Sequence, residues 1–148
     1  MGIKELLLNK GWAGKTIDRP ETIDRINPLI QEMTGLMHFY EDAARRLGGG
    51  AADTMGEHLK TMRADIGKLA ETVFSSGGVA YNGTDIEPGE LKLGDHPLEE
   101  LADRERAFVA AVREEDEVEH RIRTRAVLSV VGANGEARLK MIRSLGGR

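Results

Sequence analysis

The chain reads as an all-α, antiparallel helical bundle with a long crossover between its second and third helices. Three observations predict this. Apolar residues recur in an unbroken 3-4 alternation through two long stretches, which is the spacing of one helix face. Glycine clusters end both stretches. Between residues 75 and 96 the periodicity vanishes for long enough to cross a whole domain. The composition agrees. Of 148 residues, 40% are apolar but only 4% aromatic, so aliphatic and Met side chains must fill the core. That suits helices better than a sandwich. No Cys is present, which excludes disulfides, thiol catalysis and thiolate metal sites.

Residues 1–19 read as a loosely structured arm and 20–148 as one bundle domain. The leucine run between Lys4 and Lys10 is too short for a signal-peptide core or a membrane span. Gly2 meets the first demand of a myristoylation signal, but Leu6 stands where Ser or Thr is needed. A cytoplasmic protein without membrane contact is expected.

The first helix is predicted from Asn27-Pro28, with Asn as N-cap and Pro at the first helical position. Ile23 and Ile26 extend its seam backwards as a separate or kinked turn. The seam runs Ile30, Met33, Met37, Tyr40, Ala44, Leu47 and stops at Gly48-Gly49-Gly50. The second helix spans Ala51 to Phe74 on Met55, Leu59, Met62, Ile66, Leu69 and Val73. The short glycine joint makes these two antiparallel neighbours. A helix of this length measures about 30–36 Å. The extended 75–96 segment can span roughly 70 Å, so it can return the chain to start the third helix parallel to the second. That helix begins near Pro97, with Asp95 in capping range and His96 in the capping region. Its seam reads Leu98, Leu101, Glu105, Phe108, Val112, Glu115, Glu119, Ile122 and Ala126. Gly132-Ala133-Asn134-Gly135 reads as a break before a short final helix over Glu136–Leu145.

Hairpin, long crossover and second hairpin is the topology of ferritin-like bundles. Asn27-Pro28-Leu29-Ile30 through Tyr40-Glu41-Asp42-Ala43-Ala44 resembles the first helix of small bacterial ferritin-like proteins, and Arg113-Glu114-Glu115-Asp116 resembles the acidic entry to their third. The resemblance covers roughly residues 25–145 and implies a bundle that can house a di-iron centre. Such a centre takes a Glu from each of two helices and Glu-x-x-His from each of the others. Here Met33, Met37 and Tyr40 occupy the first seam. Met62-Arg63-Ala64-Asp65 stands where Glu-x-x-His belongs, and Leu139 and Lys140 stand where a His is expected. Only Glu115 matches a ligand position. The resemblance therefore implies the fold with a degenerate or absent di-iron site, acting through self-assembly or partner binding.

The alternative is a metal-dependent oxidase or iron-handling protein with carboxylates in the bundle core and iron or another divalent metal as cofactor. Glu115 and Glu119 sit within about 20° of the seam centre and, at i,i+4, are spaced to chelate one cation. His58, about 60° off its seam, Asp65 and Glu41 are the candidates to complete the set. The competing reading pairs these acids with Arg or Lys of neighbouring helices. Glu117-x-x-His120 is a literal Glu-x-x-His, but helical phase puts Glu117 opposite the core, free to pair with Arg121. His38, His58 and His120 place one imidazole on each main helix; a zinc or iron site would need them to converge. Met33, Met37, Met55 and Met62 read as adaptable core filling.

Charge is uneven. Residues 114–119 hold five acids, whereas 121–148 hold seven basic residues and one acid. A net charge of −4 and the lack of interleaved aromatics argue against a dedicated nucleic-acid binder. Clean seams, with a crossover and tail still to be packed, point to a homo-oligomer.

Overall fold

The computed structural model describes residues 16–87 and 89–146, so the expected arm over residues 1–19 lies almost wholly outside the described residues. The described residues form four helices: α1 Arg19–Leu47, α2 Gly49–Ser75, α3 Pro97–Glu115 and α4 Ile122–Leu145. Among the described residues there is no strand. None of the helices among the described residues is long and apolar enough to cross a membrane. α1 packs on α2 and α3, and α4 packs on the same two helices. The apolar seams meet in one core that includes Ile26, Ile30, Met33, Met55, Met62, Leu69, Leu101, Phe108 and Leu128. Met33, Met55 and Met62 are fully buried there, and Met37 packs against its edge.

The first helix starts nine residues before the expected first position at Pro28. Asp18 caps it, accepting from the Glu21 N–H at 2.9 Å, and Pro20 sits in the first turn, where a missing N–H costs nothing. Pro28 lies inside the helix and is exposed. Its lost backbone bond is offset by burial of Thr22 and Ile26 in the turns before it. Asn27 therefore caps nothing. Its side chain instead holds the chain that leaves α2: Nδ2 donates to the Val79 carbonyl at 3.0 Å, and Oδ1 accepts from the Tyr81 N–H at 2.9 Å.

Gly48 alone joins α1 to α2, with φ +64°. At the far end of α2, a Cβ on Gly78 would lie 2.7 Å from Ile23, so this turn sits against the first turns of α1. From there the 76–96 segment follows α1 towards its end. Gly83 passes Thr34, Leu91 passes Gly35, and the Leu93 N–H donates to Asp42 Oδ2 at 2.9 Å. Arg46 clamps the exit, donating to the carbonyls of Leu93 and Gly94 at 2.8 and 2.7 Å. Asp42 is buried, and its carboxyl is held below the usual carboxylate range chiefly by the Leu93 N–H, then by Arg46 and Arg45. His96 takes the N-cap position of α3 without a side-chain cap bond.

The largest departure from the sequence expectation is at the end of α3. The helix stops at Glu115 rather than carrying its seam on to Ala126, and residues 116–121 form the turn into α4. Five acids crowd residues 114–119. Negative charge is unfavourable at the carbonyl end of a helix, and like charges at i,i+4 repel, so the helix gains nothing by continuing. Ile122 and Ala126, expected on the α3 seam, are consequently exposed. Gly132-Ala133-Asn134-Gly135 is not a break but the middle of α4. Both glycines face α3. A Cβ at Gly132 would come within 2.9 Å of the Arg113 guanidinium, and one at Gly135 within 2.5 Å of Val109 Cγ2. Gly135 is needed for the close approach, whereas the Arg113 side chain could swing clear of a Cβ at Gly132; packing at Gly135 overrides the poor helix propensity of glycine.

Gly135→Ala should therefore destabilise the protein by about 1–3 kcal/mol through overpacking, although alanine is the better helix former. Gly67 on exposed α2 has open space around it. Gly67→Ala should stabilise by roughly 0.5–1 kcal/mol. Urea midpoints of the two variants compare them directly. Equal stabilisation by both would show that α4 does not touch α3 at Gly135.

Candidate functional site

Polar residues of α1, α3 and α4 meet in the middle of the core. Glu105 is the central one, at a seam position of α3 between Leu101 and Phe108, and it is fully buried. A carboxylate there must be paired. Arg138 of α4, also fully buried, donates Nε to Oε1 and Nη2 to Oε2, the latter at 3.3 Å. Tyr40 of α1 donates its hydroxyl to the same Oε1 at 2.6 Å. Burial first, and then the Glu105 charge, push the Tyr40 hydroxyl well above its ordinary value, so it stays a donor. His58 of α2 is half-buried and near enough to feel both charges. Burial and the nearby Arg138 charge lower its pKa, and Glu105 only partly opposes them.

Gly135 makes this arrangement possible. A Cβ there would sit 3.3 Å from Glu105 Oε2 and 3.5 Å from Arg138 Nη2. With a hydrogen in its place, the carboxylate and guanidinium fill the gap between α3 and α4. Leu128, Val131, Gly135, Arg138 and Ile142 form a 3-4 seam once α4 is read as continuous, and all are buried. The false break hid that seam, and with it Arg138, which read as part of a basic tail.

The other candidate residues fall into separate pairs. Asp65 is fully buried and accepts from Asn134 Nδ2 at 2.9 and 3.2 Å, tying α2 to α4, with Lys68 at 3.9 Å. Glu41 is half-buried between His38 at 2.8 Å and Arg63 at 3.8 Å. Glu115 ends α3 and meets His120 Nε2 at 2.7 Å and Arg25 of α1 at 3.5 Å. Glu119 lies in the turn outside the helix, so the i,i+4 geometry with Glu115 is not formed. Its carbonyl accepts from the Ile17 N–H at 2.9 Å, and its Oε2 is buried without a partner among the described residues. His120 is buried, not solvated, because the turn carries it inwards. It pairs with Glu115 rather than Glu117, and its Nδ1 has no partner among the described residues. Each of His38, His58 and His120 has a different set of neighbours. Among the described residues no three His, Asp or Glu side chains gather where they could hold a metal ion.

What the centre can do chemically follows from its charges. It holds one carboxylate, one guanidinium and one phenol, all fully buried and mutually bonded, with one orphan donor, Arg138 Nη1. This is a buried, internally neutralised network. Set against models of known protein families and against characterised proteins, the chain matches none.

Removing one partner of the pair should cost about 3–5 kcal/mol, because the other is left charged and buried. Arg138→Met and Glu105→Gln should each show this in urea unfolding, and the double variant should cost less than either alone. Additive losses would mean that the two side chains are not coupled.

His58 gives a pH signature. Its folded pKa lies below the ordinary 6.5, so as pH falls through that value the unfolded chain takes up the proton first. The share of stability tied to neutral His58 is present at pH above 6.5 and declines below it. His58→Gln should flatten the fall in melting temperature between pH 7.5 and the acid side of 6.5. An unchanged slope in that variant would place the titrating group elsewhere.

Proposed function

We propose that this chain is a ferritin-like antiparallel bundle without a working di-iron centre, acting through self-assembly or partner binding. The observation that carries the reading is Arg138 at the middle of the core. A di-iron centre of this class needs several carboxylates whose charge the metals neutralise. Here Glu105 is the carboxylate at the meeting point of the four helices, and a guanidinium already neutralises it. A dication placed beside Arg138 would be repelled with little water to screen it. The topology is supported by the path of residues 76–96 along α1, which serves as the long crossover. The helix pairing supports it too, since α2 and α3 do not pack on each other. Partner binding is supported by apolar side chains left in solvent near one end: Phe74 at 64%, Ile122 at 70% and Val79 at 80% exposure.

A second reading, a metal-dependent oxidase or iron-handling protein, has one observation in its favour. Glu119 Oε2 and His120 Nδ1 are buried without partners among the described residues, and the other ring nitrogen of His120 meets Glu115.

Elemental analysis of protein purified without chelator or His tag separates the two readings, combined with melts in Fe(II), Mn(II) and Zn(II). The assembly reading expects no near-stoichiometric metal, no shift with any of the three ions, and a melting temperature that rises with protein concentration. A metal-induced stabilisation that Glu115→Ala abolishes would make the oxidase reading the leader. A monodisperse monomer at high concentration in light scattering, melting at the same temperature throughout, would remove self-assembly.

A further inference from the structure

Where α2 ends and α4 begins, a groove of about 1120 Å³ opens on the surface. Arg19, Lys68, Arg121 and Arg123 line it, with Glu71 the one acid. The chain as a whole carries −4, so this is a local reversal of charge. Among the described residues Arg19, Arg121 and Arg123 have no ion-pair partner, and the carboxylate nearest to Lys68 is Asp65, 3.9 Å away.

The backbone adds donors. α4 starts without a side-chain cap, and the N–H groups of Ile122, Arg123 and Thr124 find no acceptor among the described residues. The positive end of the helix dipole lies in the same place. A separate observation points to a ligand. Thr124 lines the groove, is only 6% exposed, and its hydroxyl has no hydrogen-bond partner among the described residues. The residue is otherwise buried, and its hydroxyl, which no internal bond claims, borders the groove and can donate to a group that enters it. The carbonyl end of α2, which would repel an anion, is closed by its own caps. Ser76 N–H donates to Thr72 and Val73, Gly77 N–H to Phe74 and Gly78 N–H to Val73.

We propose that this groove binds an oligophosphate, a small anion carrying two or more linked phosphate groups. One phosphate sits on the α4 N–H groups and the Thr124 hydroxyl, flanked by Arg121 and Arg123. The next lies towards Lys68 and Arg19. Helix-end N–H groups and arginines are the donors that phosphate oxygens take most strongly. The four cations match a multiply charged ligand better than a single phosphate.

The test is calorimetric titration of the full chain with sodium tripolyphosphate, against chloride of equal ionic strength, with amide spectra following residues 122–124. Expected are saturable one-site binding and shifts at those amides. Arg121→Gln/Arg123→Gln should weaken binding about tenfold or more. Both side chains are exposed, so the double variant keeps its fold. Thr124→Val should weaken binding several-fold without lowering the melting temperature of the free protein, because it breaks no internal bond. ATP in place of tripolyphosphate tells whether the ligand carries a nucleoside. Tighter binding of ATP assigns a nucleoside polyphosphate, and equal binding assigns the bare phosphate chain. The proposal is overturned if tripolyphosphate binding does not saturate, or if it survives both variants unchanged. It is also overturned if a single-stranded oligonucleotide competes far more strongly, which would make the groove a nucleic-acid backbone track.

Discussion

The buried Glu105–Arg138 pair is the constraint around which the helices are arranged. A carboxylate and a guanidinium are both costly to take out of water, and each is tolerable in the core only because the other is there. Meeting that condition fixes several things at once. α3 and α4 must approach closely enough for a bidentate contact, which requires Gly135 to have no side chain. α1 must present Tyr40 at the same level to supply the second donor to Glu105. A shift of one helix by a turn would leave a charge buried and unpaired. The aliphatic seams alone are nearly repetitive along their length and would tolerate such a shift better. The pair thus contributes to the choice of register more than to net stability.

The 76–96 segment fixes the arrangement in a second way. It is pinned at both ends to one helix, by Asn27 near the start of α1 and by Asp42 and Arg46 near its end. In between, Tyr81, Leu91 and Leu93 pack on the core. It is a strap with its own apolar contacts, so it constrains where α3 begins. The two ends of the protein differ in chemistry as a result. One carries the basic groove at the start of α4 together with exposed Phe74 and Ile122. The other carries a second, mixed groove of about 790 Å³ around Leu47, Pro97 and Ile142.

Much of the fold was legible in the residues because it rests on local patterns. The seams through Met33 and Tyr40 and through Met55 to Val73 are each one helix face, and both faces are buried. The same reasoning put Glu105 in the core. It missed the true start of α1, although Asp18 followed by Pro20 and Glu21 is a capping signal; the more conspicuous Asn27-Pro28 concealed it. It also carried the α3 seam through Glu115, Glu119 and Ile122, because apolar periodicity contains no term for charge at a helix end. The candidate site was half visible. Glu105 was recognisable as a buried acid, but Arg138 lay beyond a pair of glycines that read as a stop.

By itself the sequence determined the all-helical class, the two long seams, the place and length of the aperiodic segment, and an acid in the third helix that had to be paired. These follow from spacing and composition, which act within a few turns of chain. The tertiary structure decided that Gly132 and Gly135 are contact points rather than breaks, that Arg138 is the partner of Glu105, and that Asn27 holds a strap instead of capping a helix. It also decided that the basic residues after Glu119 divide between the core and a groove at the start of α4. Each of these depends on what another helix brings within a few ångströms, and no local pattern carries that information.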